Sequence, residues 1–177
     1  MDKHSADERI RAALGCDDPA AIELLWDRYA GDLLVLLQAL LGSKPDAEDV
    51  LQTVFIRIVR QRRRLAAARR LDAYVYQIAR HEASRWLKQR RRPRAEPVAE
   101  PWLVAADTDA AGREEAEKLQ AALARLPAVQ REVVVLKIYR DKTFAEIGGL
   151  LALSQNTVAS RYRYALEKLR ALLRDDS

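Results

Sequence analysis

Cysteine is almost missing from this chain of 177 residues, which holds one, Cys16. A single thiol excludes an internal disulfide and, with no second thiol to join it, a paired-cysteine metal site. Histidine is nearly as scarce: His4 and His81 lie far apart in the sequence, so neither a metal-ligand spacing nor a catalytic pair forms, and no metal or other cofactor is expected. Glycine and proline, 6 of each, stand between periodic stretches rather than in a phosphate-cradling loop. No run of about eighteen apolar residues occurs, which excludes a membrane-spanning helix. The opening MDKHSADERI is charged throughout and lacks the apolar core of a secretory signal. These absences leave an enzyme as the weakest of the functional readings and make the cytoplasm the expected compartment.

Charge is present in abundance and unevenly placed. The formal net charge is +5, yet residues 57–94 carry 14 Lys plus Arg against 2 Asp plus Glu, while residues 95–117 carry 1 against 7. Most charge runs are solvated faces, and a basic block points to a polyanion only when a second nucleic-acid feature accompanies it.

The rest reads as helix, rich in Ala, Leu, Arg and Glu. DDPAAIELLWDRYAGDLLVLLQALLG has Asp18 as N-cap, Pro19 at the first helical position and an end at Gly42. KPDAEDVLQTVFIRIVRQRRRL starts at Pro45 with acids in its first turns, which suits the positive end of a helix dipole. Its apolar stripe is Val50, Val54 and Ile58. A third helix over about 71–91 carries Tyr74, Ile78, Trp86 and Leu87 with basic residues between them. The segment 93–112, with three prolines and several acids, reads as a flexible linker that spans up to about 65 Å when extended. Beyond it, an amphipathic helix precedes PAVQREVVVLKIYR, with Val129, Val133 and Leu136 as its core stripe.

The chain is thus expected to be all-α. A tail over 1–17 leads into a helical domain over 18–92, and the linker joins this to a second helical domain over 113–174. In that second domain Thr143 and Glu146 form a capping box, and Ser154 caps a final helix whose Val158, Ala165 and Leu169 point inward. Asn156, Ala159, Ser160 and Arg163 share its opposite face, with Gln155, Thr157 and Arg161 at the margins. This is the pattern of a helix-turn-helix, in which the start of the second helix enters the major groove. Asn and Arg pair with adenine and guanine edges, and Ser or Thr adapts to either.

LPAVQREVVVLKIYRDKTFAEIGGLLALSQNTVASRYRYALEKLR resembles region four of bacterial RNA polymerase sigma factors of the extracytoplasmic-function group. DAEDVLQTVFIRIVR and LDAYVYQIARHEASRWLKQRRR resemble that group's region two, in the expected order. The resemblance implies a protein that binds core RNA polymerase and directs promoter-specific initiation without bond chemistry of its own. It implies core docking through Asp46, Glu48, Asp49 and Gln52, on the clamp of the largest subunit. Residues 65–71, which include Arg69 and Arg70, correspond to the loop that captures an unstacked minus-ten base. The following helix offers Arg80, His81, Ser84, Arg85 and Lys88 to the opened strand, with Tyr74, Tyr76 and Trp86 as π faces, although Tyr74 and Trp86 share an inward-looking stripe with Ile78. Arg90, Arg91, Arg92 and Arg94 grip backbone. Thr143, Ser154, Gln155, Asn156, Thr157, Ser160, Arg161 and Arg163 correspond to the minus-thirty-five reader. The second domain would rest on the flap of the second-largest subunit, and an anti-sigma protein is the usual regulatory partner.

Several positions depart from the family pattern. Ala152 replaces a turn glycine, so the turn either avoids a left-handed residue or accepts strain. Gly148 and Gly149 weaken their helix by roughly 1 kcal/mol each relative to Ala. Ala159 replaces a basic residue, His81 and Arg85 replace Asn and Asp, and Thr53 stands where an acid is frequent. A phosphate on Thr53 would restore negative charge beside the docking acids; equal transcription by Thr53→Ala under all conditions would dismiss that idea. The competing reading is a helix-turn-helix regulator that never joins the polymerase. It explains residues 128–170 and leaves the acidic helix and the basic block without a role. The chain ends soon after its last helix, so no further sensor domain is expected.

Overall fold

The computed structural model describes residues 3–16, 18–89 and 110–175. Among them the helices are α1 (Lys3–Gly15), α2 (Ala20–Leu41), α3 (Lys44–Arg60), α4 (Arg62–Ala66), α5 (Leu71–Gln89), α6 (Ala110–Ala124), α7 (Ala128–Ile138), α8 (Phe144–Leu151) and α9 (Gln155–Asp175). Capping residues mark the boundaries of α2, α3, α8 and α9. The Asp18 carboxylate accepts from the Ala20 amide at 2.9 Å, and α2 ends where Gly42 turns left-handed (φ 71°) and its N–H returns to the Gln38 carbonyl. Helix α3 begins one residue before Pro45, because Ser43 supplies the cap and accepts from the Asp46 amide at 3.4 Å.

In the first helical unit α2, α3 and α5 pack on one another, with Leu25, Leu33, Leu37, Val54, Ile58 and Val75 fully buried. The stretch read as a tail is largely helix α1: Ile10 and Leu14 are 2% and 1% exposed, and the helix packs on α2 and α4. Two apolar residues one turn apart are too few to announce a helix by periodicity, so tertiary burial decides it. Residues 93–109 of the expected linker and the arginines at 90–94 lie outside the described residues, while 110–112 already belong to α6.

The second unit has a small core of its own, including Ala122, Leu123, Leu126, Val134, Ala165 and Leu169. Its other face joins the first unit's core: Val133, Leu136, Ile147, Leu150, Leu151 and Val158 are buried in the same apolar cluster as α2 and α5 residues. Val129, expected in the α7 stripe, is exposed instead. The stripe is rotated toward Val133–Leu136 because α7 is covered on two sides, by α9 and by α2. At about 1.5–3 kcal/mol for each large apolar side chain fully buried, the shared cluster holds the two units together.

Candidate functional site

Three surfaces carry the residues singled out by the sequence. On α3, Ala47, Val50, Leu51, Val54, Phe55 and Ile58 face the core, which turns Glu48, Asp49, Gln52 and Thr53 outward, with Asp46 half-buried. The Thr53 hydroxyl donates to the Asp49 carbonyl at 3.1 Å. Ile56, one turn beyond Gln52, is 53% exposed, so this acidic face carries an apolar contact that charge patterning did not reveal.

The residues expected to meet the opened strand fall into three groups. Arg80, His81, Ser84 and Lys88 line a groove of about 460 Å³ between α5 and α7, together with Leu87, Val129 and Glu132. Arg85 faces the other way, into a depression of about 360 Å³ with Thr53, Arg57, Arg60 and Trp86. Arg69 and Arg70 stand in the turn between α4 and α5, where Arg11 donates to the Arg69 carbonyl at 2.9 Å.

Two of these cations are already engaged. Arg80 Nε lies 2.6 Å from Glu132 Oε1. Glu132 is 2% exposed; burial raises its pKa above the ordinary carboxylate value, against the pull of Arg80 and then Arg161. The Arg70 guanidinium lies 3.3 Å from Asp72 Oδ2 and rests on Gly149 of α8, so close that a Cβ there would collide with it. The aromatics sort differently from the expectation. Tyr76 is the buried one, its hydroxyl donating to Asp32 Oδ2 at 3.1 Å, and burial pushes its pKa far up, so it is no stacking platform. Tyr74 and Trp86 are half-buried, and the Tyr74 hydroxyl donates to Gln61 at 3.1 Å.

In the second unit the helix-turn-helix forms as its caps dictate. The Thr143 amide donates to Glu146 Oε2 at 2.8 Å and the Glu146 amide returns to Thr143 Oγ1 at 3.2 Å, so Thr143 is committed to starting α8. Gly148 has a reason to be glycine, since a Cβ would stand 2.7 Å from the Leu153 carbonyl oxygen. Ala152 accepts the left-handed conformation (φ 57°, ψ 45°). Ser154 caps α9 through the Thr157 amide at 3.1 Å, its hydroxyl 2.8 Å from that of Thr157. Val158 and Ala165 are fully buried, and this anchorage leaves Gln155, Asn156 and Arg163 exposed, with Thr157, Ser160 and Arg161 half-buried. Arg163 lies 5.1 Å from the centre of the exposed Tyr164 ring, an aromatic that sequence reasoning passed over.

Sequence reasoning also passed over Asp32, Arg131, Glu132, Arg140 and Lys142. Asp32 and Glu132 are buried carboxylates, Asp32 within an otherwise apolar run and Glu132 at the head of one, a signal that was there to be read. An all-helical pair of units, one with an acidic outer helix and one with a capped helix-turn-helix whose second helix presents a polar face, is the architecture of a DNA-binding protein.

Comparison with known proteins agrees. The model described as Sigma-70 region 2 matches residues 25–93, and that described as Sigma-70, region 4 matches 122–171. The RNA polymerase sigma factor CarQ of Myxococcus xanthus is 32% identical over 158 residues, 86% of this chain and 89% of the relative. The ECF RNA polymerase sigma factor SigX of Bacillus subtilis is 26% identical over 167 residues, 87% and 86% of the two chains. Among solved structures, CnrH in complex with the cytosolic domain of CnrY aligns over 97% of this chain and 99% of its own, with TM-score 0.73 and 25% identity. The sigma factor RpoE of Bartonella quintana, in complex with the anti-sigma factor NepR, shares the fold with TM-score 0.67 over 89% of this chain and 99% of its own, at 18% identity. The chain belongs to the extracytoplasmic-function group of RNA polymerase sigma factors and directs promoter-specific transcription initiation. A regulator that never joins the polymerase would leave the region 2 match over 25–93 without an account.

Proposed function

We propose that the two regions divide the promoter between them as the family pattern implies. Region 4 reads the minus-thirty-five duplex through α9, with Gln155, Asn156 and Arg163 nearest the base edges and Ser154, Thr157, Ser160 and Arg161 toward the backbone. Thr143 serves that surface mainly by starting α8. The observation that carries this reading is the exposure of Gln155, Asn156 and Arg163 on a helix anchored by buried Val158 and Ala165. Region 2 holds the melted minus-ten strand with the turn bearing Arg69 and Arg70 and with Arg80, His81, Ser84 and Lys88; Arg85, on the opposite side of α5, is the weakest member of that set. Cations for phosphates suit a single strand.

Core polymerase is met by Asp46, Glu48, Asp49 and Gln52 on the clamp of the largest subunit, with Ile56 adding apolar contact, while region 4 rests on the flap of the second-largest. Carboxylates at such a surface steer association more than they add affinity. The protein works in the cytoplasm as a non-catalytic initiation subunit. Regulation by an anti-sigma protein is supported by the complex in which the Bartonella quintana fold neighbour was solved.

The test is multi-round transcription on sheared genomic DNA with purified core polymerase, with and without the chain. New transcripts that begin downstream of a shared two-part motif are expected, and the motif supplies the promoter sequence. Duplex binding without new transcripts and without association with core would overturn the division of labour.

A further inference from the structure

Three arginines line the depression between α3 and α5, and only Arg85 among them belongs to the proposed minus-ten set. Thr53, Arg57 and Arg60 follow one another at spacings of four and three along α3, so they share one face of it. Arg85, Trp86 and Gln89 face them from α5, and Val50, Ile56 and Glu82 complete a hollow of about 360 Å³. Among the described residues Glu82 is the one carboxylate that lines it, so three guanidinium groups against one carboxylate leave two positive charges. Like charges gathered in a hollow repel one another, and an anion in their midst relieves that repulsion.

The hollow also holds one of its cations in position. Glu82 is 5% exposed, and its Oε1 lies 2.9 Å from Arg57 Nε. That pair draws one edge of the guanidinium toward α5, while Arg57 keeps 36% of its side-chain surface exposed. A guanidinium offers a rigid fork of N–H donors that matches phosphate geometry, so donors remain for a second acceptor. Arg60 and Arg85, both exposed, bring the same fork from either wall. The charge balance then selects among phosphates. A backbone phosphodiester, with a single negative charge, would leave the hollow positive, whereas a phosphate monoester carries about −1.5 to −2 at neutral pH and matches it.

We infer that this hollow binds a small phosphorylated molecule through a terminal phosphate or diphosphate group, held by Arg57, Arg60 and Arg85. It is separate from the groove on the opposite side of α5 that bears Arg80, His81, Ser84 and Lys88. Thr53 and the exposed Ile56 line it one turn from Asp49 and Gln52 on α3. A bound ligand therefore adds negative charge beside the proposed docking face and lets that face respond to a metabolite. This last step rests on the docking role proposed above; the binding site does not.

Pyrophosphate is the probe, titrated into the full chain at constant ionic strength and followed by calorimetry and by the thermal midpoint, which rises when a ligand binds only the folded state. Saturable binding at a single site is expected. Arg60→Gln and Arg85→Gln should each weaken it about tenfold or more, since each removes charge-assisted hydrogen bonds. Lys88→Gln, on the opposite side of α5, should leave it unchanged. Arg57→Gln should weaken it too, but leaves Glu82 buried without its partner, so the two exposed arginines carry the test if that variant does not fold. A short oligothymidylate without a terminal phosphate distinguishes a DNA source: Arg60→Gln should change its affinity far less than that of pyrophosphate. Binding that does not saturate, or that Lys88→Gln weakens equally, would overturn the site. Equal losses for oligothymidylate and pyrophosphate would also overturn it, by making the hollow part of the DNA path. The association rate with core polymerase, with and without saturating pyrophosphate, tests the docking step. A rate that changes for the native chain and not for Arg60→Gln supports the step, and an unchanged rate at full occupancy removes it. Absence of any association with core would remove the docking role itself, with calorimetry still deciding whether the site exists.

Discussion

Ala152 is the residue at which this sequence departs most sharply from its local geometry. A left-handed backbone costs an L-residue roughly 1–2 kcal/mol, and Ala152 adopts it (φ 57°) at the turn of the helix-turn-helix. Ala152→Gly is therefore expected to stabilise the protein by about 1 kcal/mol, part of the relief being offset by the greater freedom of glycine in the unfolded chain; a thermal midpoint that does not rise would contradict the strain. Glu132 offers a second test at this scale. Burial, the larger influence, raises its pKa in the folded protein despite Arg80 and Arg161, so the folded state binds this proton more tightly than the unfolded one. Its contribution is most favourable below the ordinary carboxylate pKa and is lost as pH rises through the raised one. The stability of the native protein minus that of Glu132→Gln should accordingly fall with rising pH across that window, as followed by denaturant titration. A flat or rising difference would show that the ion pair outweighs burial.

At the scale of the element, the caps were legible and two of the helices were not. Thr143 with Glu146, Ser154, Asp18 with Pro19, and Gly42 each place a boundary close to where the structure has it, because one side chain or one backbone conformation decides each. Helices α1 and α4 escaped notice: a five-residue helix has no period, and α1 owes its order to the burial of Ile10 and Leu14. The polar face of α9 was legible for the opposite reason, since a helix of 21 residues repeats its pattern several times. Removing the proposed base contacts one at a time, Asn156→Ala and Arg163→Ala, should each cost about 1–3 kcal/mol of binding to the minus-thirty-five duplex and relax its sequence preference. Fluorescence anisotropy on a promoter found by transcription measures this, with circular dichroism to show α9 intact. Loss of affinity that is equal for every duplex would reassign the two residues to the backbone.

At the scale of the whole molecule, the presence of two helical units could be read from the chain, but their contact could not. Arg131 and the Ala39 carbonyl are separated by 92 positions, and no periodicity in either segment reports on the other. The minus-ten set suffered from the same blindness: basic residues close in sequence along α5 point to opposite sides of it, Arg85 away from Arg80, and Tyr76 is drawn inward by Asp32. The proposed docking face of α3 lies apart from the contact between the two units and can be tested by itself. Reversing Glu48 and Asp49 to Lys should slow association with core polymerase by about tenfold or more at low salt, with a smaller effect at high salt. Duplex binding by region 4 should not change. An association rate indifferent to both charge and salt would move the docking site elsewhere.

The packing of Arg70 on Gly149 ties local helix strength to the placement of a cation of the proposed minus-ten set. An alanine at 149 would strengthen α8 by about 1 kcal/mol, yet its methyl group would claim the space that the guanidinium fills, and a long flexible side chain can leave at small cost. Selection for a sturdier α8 would thus push Arg70 off that helix, and a glycine at that position keeps the helix weak and the arginine in contact with it at the same time.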